Sequence, residues 1–332
     1  MKRTFLTYRV ALFFSVLTAS QQISANQLDD AIIKSFEHRF ASVVVLTDTD
    51  VIKFGVNDFN PNRALNLDNE NLGSDDAVER RKQNSVVAIP LTFEFDEPDS
   101  DNQHRIYLRL SGIFTDSDTQ LLQGDVPEDN LKETIISGFA AYRYRMNLTE
   151  NWRLIPGIGT HLIHYKNDFT ANSLESQELI DVFLKDRLVD VSAWSNIYEP
   201  TLKFEYHDEP EWGKWKAVSS WHYFYGYGWG DANSGNVGNP EGWYVSNGAE
   251  LFYNITQWGN SLQSLYASIS RIDLGGDTPS EFGTDHYYET SIGWLMTPSF
   301  EADWIDNIGI GINVNYGSDY KGGSIVLFFN QD

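Results

Sequence analysis

The feature that most constrains this chain is an alternation of period two that recurs along almost its whole length. Near the C-terminus, Ile308, Ile310, Ile312, Val314 and Tyr316 alternate with Gly309, Gly311, Asn313 and Asn315. That spacing puts an apolar face and a small, polar face on opposite sides of one strand. A short turn at Gly317-Ser-Asp-Tyr320 leads to a last strand over 321–329. Similar alternation predicts strands over 86–95, 105–114, 136–146, 152–165, 190–206, 214–228, 243–256, 262–273 and 285–296. An apolar run at 42–54 supplies a first strand and brings the count to twelve. Pro90 removes one ladder donor and predicts a bulge in the second strand.

The connectors alternate as well. Those after strands two, four, six, eight and ten are short, and those after one, three, five, seven and nine are long. A soluble sandwich has no reason to keep that asymmetry. A barrel in a bacterial outer membrane does, with an even strand number, short periplasmic turns and longer outer loops. Aromatic rings gather at the two predicted rims. Trp152, Trp212, Trp215, Trp258, Trp294 and Trp304 fall at the short-turn ends, and Tyr223, Tyr225, Tyr227, Trp229 and Trp243 at the others. Amphipathic rings prefer the headgroup level, so two girdles are expected. The expected fold class is all-β: a 12-stranded antiparallel transmembrane β-barrel.

Composition agrees. Only the N-terminus carries a sustained apolar run, and alternating strands average to mild hydropathy. The 332 residues include no cysteine, which excludes disulfides, thiolate metal sites and a cysteine nucleophile. The net charge of −23 makes nucleic acid an unsuitable partner, since phosphate binding needs a basic footprint. Lys2 and Arg3, the short apolar core 10–17 and small residues up to Ala25 predict a secretory signal peptide over 1–25. Export to the outer membrane of a Gram-negative bacterium is the expected localisation. Leu28, Ile32, Phe36 and Phe40 recur every four residues and predict a helix over 27–40, a candidate lumen plug. The organisation expected is thus signal peptide 1–25, helix 26–40 and barrel 41–332.

With these features the chain resembles the translocator β-domain of autotransporters. The resemblance rests on twelve strands, a helix running directly into the first strand, and a final strand shaped like the signal read by the barrel-assembly machinery. Lys321, Gly323, Val326 and Phe328 carry that signal pattern. Only a short segment separates the predicted cleavage point from the first strand, so the closer likeness is to solitary autotransporter-type barrels without a passenger. The resemblance implies outer-membrane lipids and the assembly machinery as partners. A monomer is the expected state.

Candidate function lies on the inward faces. Arg105, Arg109, Arg143, Arg145 and Arg153 cluster on neighbouring strands, and Asp48, Asp50, Glu94, Glu199, Glu205, Glu250 and Glu289 are inward acids. In a water-filled pore such ladders set ion preference. In a plugged barrel they pair with the plug, for which Lys34, Glu37, His38 and Arg39 are available. Ser220 and His222 share the inward face of one strand, with His161 also inward. Alternate strand residues stand about 6.6 Å apart, so no direct Ser–His contact is expected. Asn66–Asn71 with Asp75 and Asp76 is oxygen-rich but has no EF-hand spacing, and Pro156–Gly159 lies within a strand with no helix after it. No catalytic residue, metal or cofactor is therefore expected. The leading expectation is a non-enzymatic barrel with a pore or membrane-structural role. A narrow solute channel and a lipid-modifying barrel enzyme are the alternatives.

Overall fold

The computed structural model describes residues 25–48, 55, 57–96, 102–119, 121, 127–298 and 307–329. The predicted signal peptide lies outside them save for Ala25, and so do Asp50 and Trp304.

A helix, α1 (Ala25–Leu46), precedes a single sheet. The strands are β1 (Asn57–Phe59), β2 (Asn84–Asp96), β3 (Gln103–Thr119), β4 (Asp129–Asn147), β5 (Trp152–Thr170) and β6 (Ser192–Asp208). They continue as β7 (Gly213–Gly230), β8 (Glu241–Trp258), β9 (Ser261–Gly276), β10 (His286–Met296), β11 (Ile308–Tyr316) and β12 (Gly322–Phe329). Neighbours in sequence pair antiparallel from β2 to β12, and β12 pairs with β1 through Asn57↔Ile325 to Phe59↔Gly323. The sheet therefore curls around α1.

Alternation along each strand does what the sequence requires. Ile89, Leu91, Ile158, Trp221, Ile269, Ile310 and Leu327 point outward and are exposed. Ser137, Ser195, Ser291, Asn313 and Ser324 point inward and are buried. Trp152, Trp212, Trp258 and Trp294 are exposed at the short-turn rim, and Tyr223, Tyr225, Tyr227, Trp229 and Trp243 at the other. Lipid offers the outward face no hydrogen bonds, so every spanning backbone group has to be paired within the sheet.

Several elements differ from the sequence reading; β3, β4 and β5 run further toward the long connectors, with β4 beginning at Asp129 rather than at 136. Ser42–Leu46 continues α1 and is not strand. A run of Val43, Val44 and Val45 favours a strand locally, yet inside a ring of strands a helix can be apolar all round. All three are fully buried there. The strand that pairs with β12 is accordingly the three-residue β1, and not 43–54, of which 49–54 lie outside the described residues. The long segment before β2 folds into α2 (Pro61–Leu65) and α3 (Asp75–Gln83). Finally, β2 and β3 stay in register past Pro90↔Arg109 with no bulge. Among the described residues β2 pairs only with β3.

Among the described residues no ladder joins β1 to β2, and α3 lies across both sheet edges. Its Arg81 holds that position. The buried guanidinium donates to Asp58 Oδ1 (3.1 Å), the Tyr320 carbonyl (2.7 Å) and Ser324 Oγ (2.6 Å). Ser324 Oγ also bonds Asp58. Replacing Arg81 with Ala strips three acceptors of a buried partner and is expected to cost about 3 kcal/mol. The check is the temperature at which the folded band is lost in heat-modifiable electrophoresis. Arg81→Lys is expected to restore little of it, because an ammonium lacks the planar fork.

Candidate functional site

The site is the lumen, and α1 sets its geometry. Asp29 at the start of α1 pairs with Arg187 in the long β5–β6 connector. Lys34 reaches Asp277 beyond β9, and Glu37 accepts from the Asn239 backbone at 2.9 Å. Thr47 and Asp48, just past the C-terminal end, meet Arg109 in the middle of β3 and Tyr244 near the start of β8. The helix thus enters at the long-loop rim and descends to mid-barrel. Along the way Ile32, Phe36 and Phe40 pack with inward residues of the wall, including Ile135, Tyr165, Ile197, Phe224, Ile272 and Tyr287. Phe36 meets Tyr165 edge-on at 5.8 Å.

Two polar layers fasten it. In the upper one Arg39 donates to Glu133 at 2.6 Å and to Glu281 at 3.3 Å, and Tyr165 donates to Glu133 at 2.7 Å. The helix expected over 27–40 runs on to Leu46, so Arg39 sits in its interior and pairs with the wall. In the middle layer Arg109 donates to Thr47 Oγ1 at 3.2 Å and lies 3.6 Å from Asp48 Oδ1. The Tyr244 hydroxyl is 2.7 Å from Asp48 Oδ2 and 3.0 Å from Glu199 Oε1.

Glu199 is the hub of the middle layer. Only 2% exposed, it binds His161 Nε2 through Oε2 at 2.6 Å and His222 Nδ1 through Oε1 at 2.6 Å. A carboxylate accepts only, so both imidazoles donate to it. In neutral His222 that leaves Nε2 as an acceptor, and Ser220 Oγ lies 2.6 Å from it. The expected separation of Ser220 and His222 is therefore wrong. Their Cα atoms are two residues apart, but side chains on a strand lean along it. Glu199 at Nδ1 and the Tyr244 ring stacked at 4.1 Å turn the His222 imidazole toward Ser220. His161 is likewise stacked, on Phe139 at 4.1 Å.

Below this layer, toward the short turns, the wall is charged and partly open. Glu94 pairs with Arg105 at 2.7 Å, Arg153 with Glu205 at 2.9 Å and Lys216 with Glu250 at 3.3 Å. Arg105 and Arg143 stand directly opposite each other, Arg143 lies over the Tyr107 ring, and Arg145 leaves its Nε without a hydrogen-bond partner. The expected inward charges thus share one lumen but divide into two levels. Asp48 and Arg109 hold the helix end, and Glu94, Arg105, Arg143, Arg145, Arg153, Glu205 and Glu250 line the lower wall. Glu289 is buried higher on β10. Sequence reasoning missed Glu133, Tyr165 and Tyr244, which carry the correct inward parity but no motif.

The four residues of the predicted assembly signal do not share a face. Lys321 and Gly323 have the outward parity, with the Phe59 ring against Gly323. Val326 and Phe328 point inward and pack with Phe252, Tyr266 and Leu295. The sequence pattern joined residues an odd number of positions apart, which a pleated strand sends to opposite sides.

A 12-stranded antiparallel sheet with an apolar outer band, rim aromatics, a polar inner face and a helix in the lumen defines an outer-membrane β-barrel of autotransporter type. Residues 37–331 match the family described as solitary outer membrane autotransporter beta-barrel domain, and the chain belongs to that family. No curated protein matches it. Among solved structures it is similar to LpxR from Salmonella typhimurium (8% identity, 72% of this chain and 86% of that one, TM-score 0.35). It is also similar to the translocator domain of autotransporter NalP from Neisseria meningitidis (12% identity, 72% and 84%, TM-score 0.34). A third likeness is to the transport unit of the autotransporter AIDA-I from Escherichia coli (10% identity, 87% and 95%, TM-score 0.19). At such scores these likenesses say nothing about activity.

The upper layer gives a direct test of the helix contacts. Arg39→Ala leaves Glu133, 5% exposed, without its cation and is expected to destabilise the folded barrel by about 3 kcal/mol. The same electrophoretic melting assay reads the loss. A wild-type midpoint would show that the pair does not hold the helix.

Proposed function

We propose that this chain is an outer-membrane barrel whose outer half is closed by its own helix, so that it is not an open pore. What remains of the lumen is a vestibule facing the periplasm. The observation that carries this reading is the burial of the lower half of α1. Ala41, Val43, Val44 and Val45 have no exposed surface, and the wall residues around them come from strands β3 to β10. A twelve-stranded wall is wider than the eight-stranded barrels that side chains alone can fill, and α1 occupies the difference. The short turns mark the periplasmic side and the long connectors the outer side. The outward apolar band contacts outer-membrane lipid. The last strand, which meets the three-residue β1, is the proposed contact for the assembly machinery.

Planar-bilayer recording tests the closure. The full chain is expected to give no steady conductance, and a chain lacking residues 26–46 to give stable steps. Should that deletion not assemble, Arg39→Glu places a carboxylate against Glu133 and Glu281 and is expected to raise opening events above wild type. Steady steps from the wild-type chain, matching those of the deletion, would overturn the reading.

A further inference from the structure

We propose that Ser220, His222 and Glu199 form a hydrolytic triad at the roof of the vestibule, acting on esters of anionic molecules. The proposal rests on the reading of the lumen as open on the short-turn side. No catalytic role was expected for these residues because Ser220 and His222 were not expected to touch, and the contact removes that ground.

Three features point to catalysis rather than to a purely structural network. The first is the order of atoms. Ser220 Oγ is 2.6 Å from His222 Nε2, and His222 Nδ1 is 2.6 Å from Glu199 Oε1. A nucleophile, a base and a carboxylate that fixes the base's tautomer are in line, which is the arrangement that activates a hydroxyl. The second is orientation. Glu199 is 2% and His222 8% exposed, while Ser220 is partly exposed. The acid end is therefore sealed under α1, and the nucleophile end faces the vestibule. The third is electrostatic. Lys203 is the register partner of Ser220 on β6, and directly opposed residues stand about 5 Å apart at Cβ. Its ammonium lies 3.6 Å from Glu205 Oε2 and its side chain is 28% exposed, which leaves it able to face an oxyanion forming at Ser220.

The same wall sets the substrate class. Like charges directly opposite each other destabilise a sheet, yet Arg105 faces Arg143, with one carboxylate, Glu94, on Arg105 and the Tyr107 ring under Arg143. Arg145, close by, has an unpartnered Nε. In a chain of net charge −23 this concentration of cations selects a substrate with a carboxylate or phosphate.

The chemistry balances with water alone. Ser220 Oγ bonds to the acyl carbon as its proton passes to His222 Nε2. The carbon–oxygen bond to the alcohol then breaks, and His222 returns the proton to the departing alkoxide. Water, deprotonated by His222, attacks the acyl-serine. The acid leaves and Ser220 regains its proton. Glu199 is a positioning residue, holding His222 in the tautomer the step needs.

The test uses the full chain folded in detergent, with heat-modifiable migration as the fold control. A fluorophosphonate is expected to add one phosphonyl group at Ser220 by mass mapping. Ser220→Ala is expected to abolish the label, and His222→Gln to slow it about 100-fold or more. Mono-p-nitrophenyl suberate, whose carboxylate is too remote to cleave its own ester, is expected to be hydrolysed faster than p-nitrophenyl octanoate, with the advantage lost in Arg143→Gln and both rates lowered in Lys203→Gln. Equal rates for the two esters would overturn the anionic class. An unlabelled Ser220 in the folded barrel would overturn the triad. The chain has no cysteine, so Ser220→Cys with methyl methanethiosulfonate then separates the causes. A modified thiol leaves the vestibule standing and rejects the triad alone. An unmodified thiol rejects both.

Discussion

The structure depends on filling a lumen that its own sheet forces into existence. Hydrocarbon satisfies no backbone donor or acceptor, so strands crossing it must pair with one another on both sides. Twelve strands curled in this way enclose more space than their inward side chains occupy. The chain meets this with α1, and the lower half of that helix has to satisfy a wall on every side. That accounts for the all-round burial of Ala41 to Leu46, apolar save for Ser42, and for the apolar wall residues that share its cluster, Ile113, Ile135, Ile163 and Ile197 among them. It also accounts for the charged layers. A buried Glu133 or Asp48 is tolerable only with Arg39 or Arg109 beside it.

Most of the sheet was legible because alternation has a period that cannot be mistaken once one face meets lipid. Strands β11 and β12 begin and end within a residue of where Ile308–Tyr316 and 321–329 place them. The end of α1 was not legible for a physical reason. A helix reveals itself by an apolar stripe, and Leu28, Ile32, Phe36 and Phe40 supply one only where the wall is polar on one side. Deeper in the barrel the stripe widens to the whole circumference, and a β-branched run then reads as strand. Inward parity gathered Arg105, Arg109, Arg143, Arg145 and Arg153 onto one face of the sheet. It could not show that Glu199, on β6, reaches His161 on β5 and His222 on β7, because parity fixes the face but not the reach of an imidazole.

The two ends of the lumen differ in character. The long-loop end is packed with helix, aromatic rings and closed ion pairs. The short-turn end has its own buried cluster around Phe252, Tyr266, Leu295 and Phe328 on the β8–β12 side, and elsewhere keeps arginines opposite one another and a serine whose hydroxyl contacts a clamped imidazole. A polarity of this kind follows from the direction in which the helix enters. With its end at mid-barrel, Asp48 meets Tyr244, Tyr244 meets Glu199, and the network passes down to Ser220. The plug and the proposed reactive layer therefore share one set of hydrogen bonds, and a change at Asp48 should be felt at His222.

The direction of α1 is the central claim, and a single introduced thiol tests it most directly. Asp30, exposed near the start of the helix, is placed at the long-loop rim. In intact cells an impermeant maleimide is expected to label Asp30→Cys, while Val44→Cys, fully buried in the lumen, stays unlabelled. Labelling of Asp30→Cys only after the outer membrane is opened would mean that the helix enters from the periplasmic side, and would contradict the account.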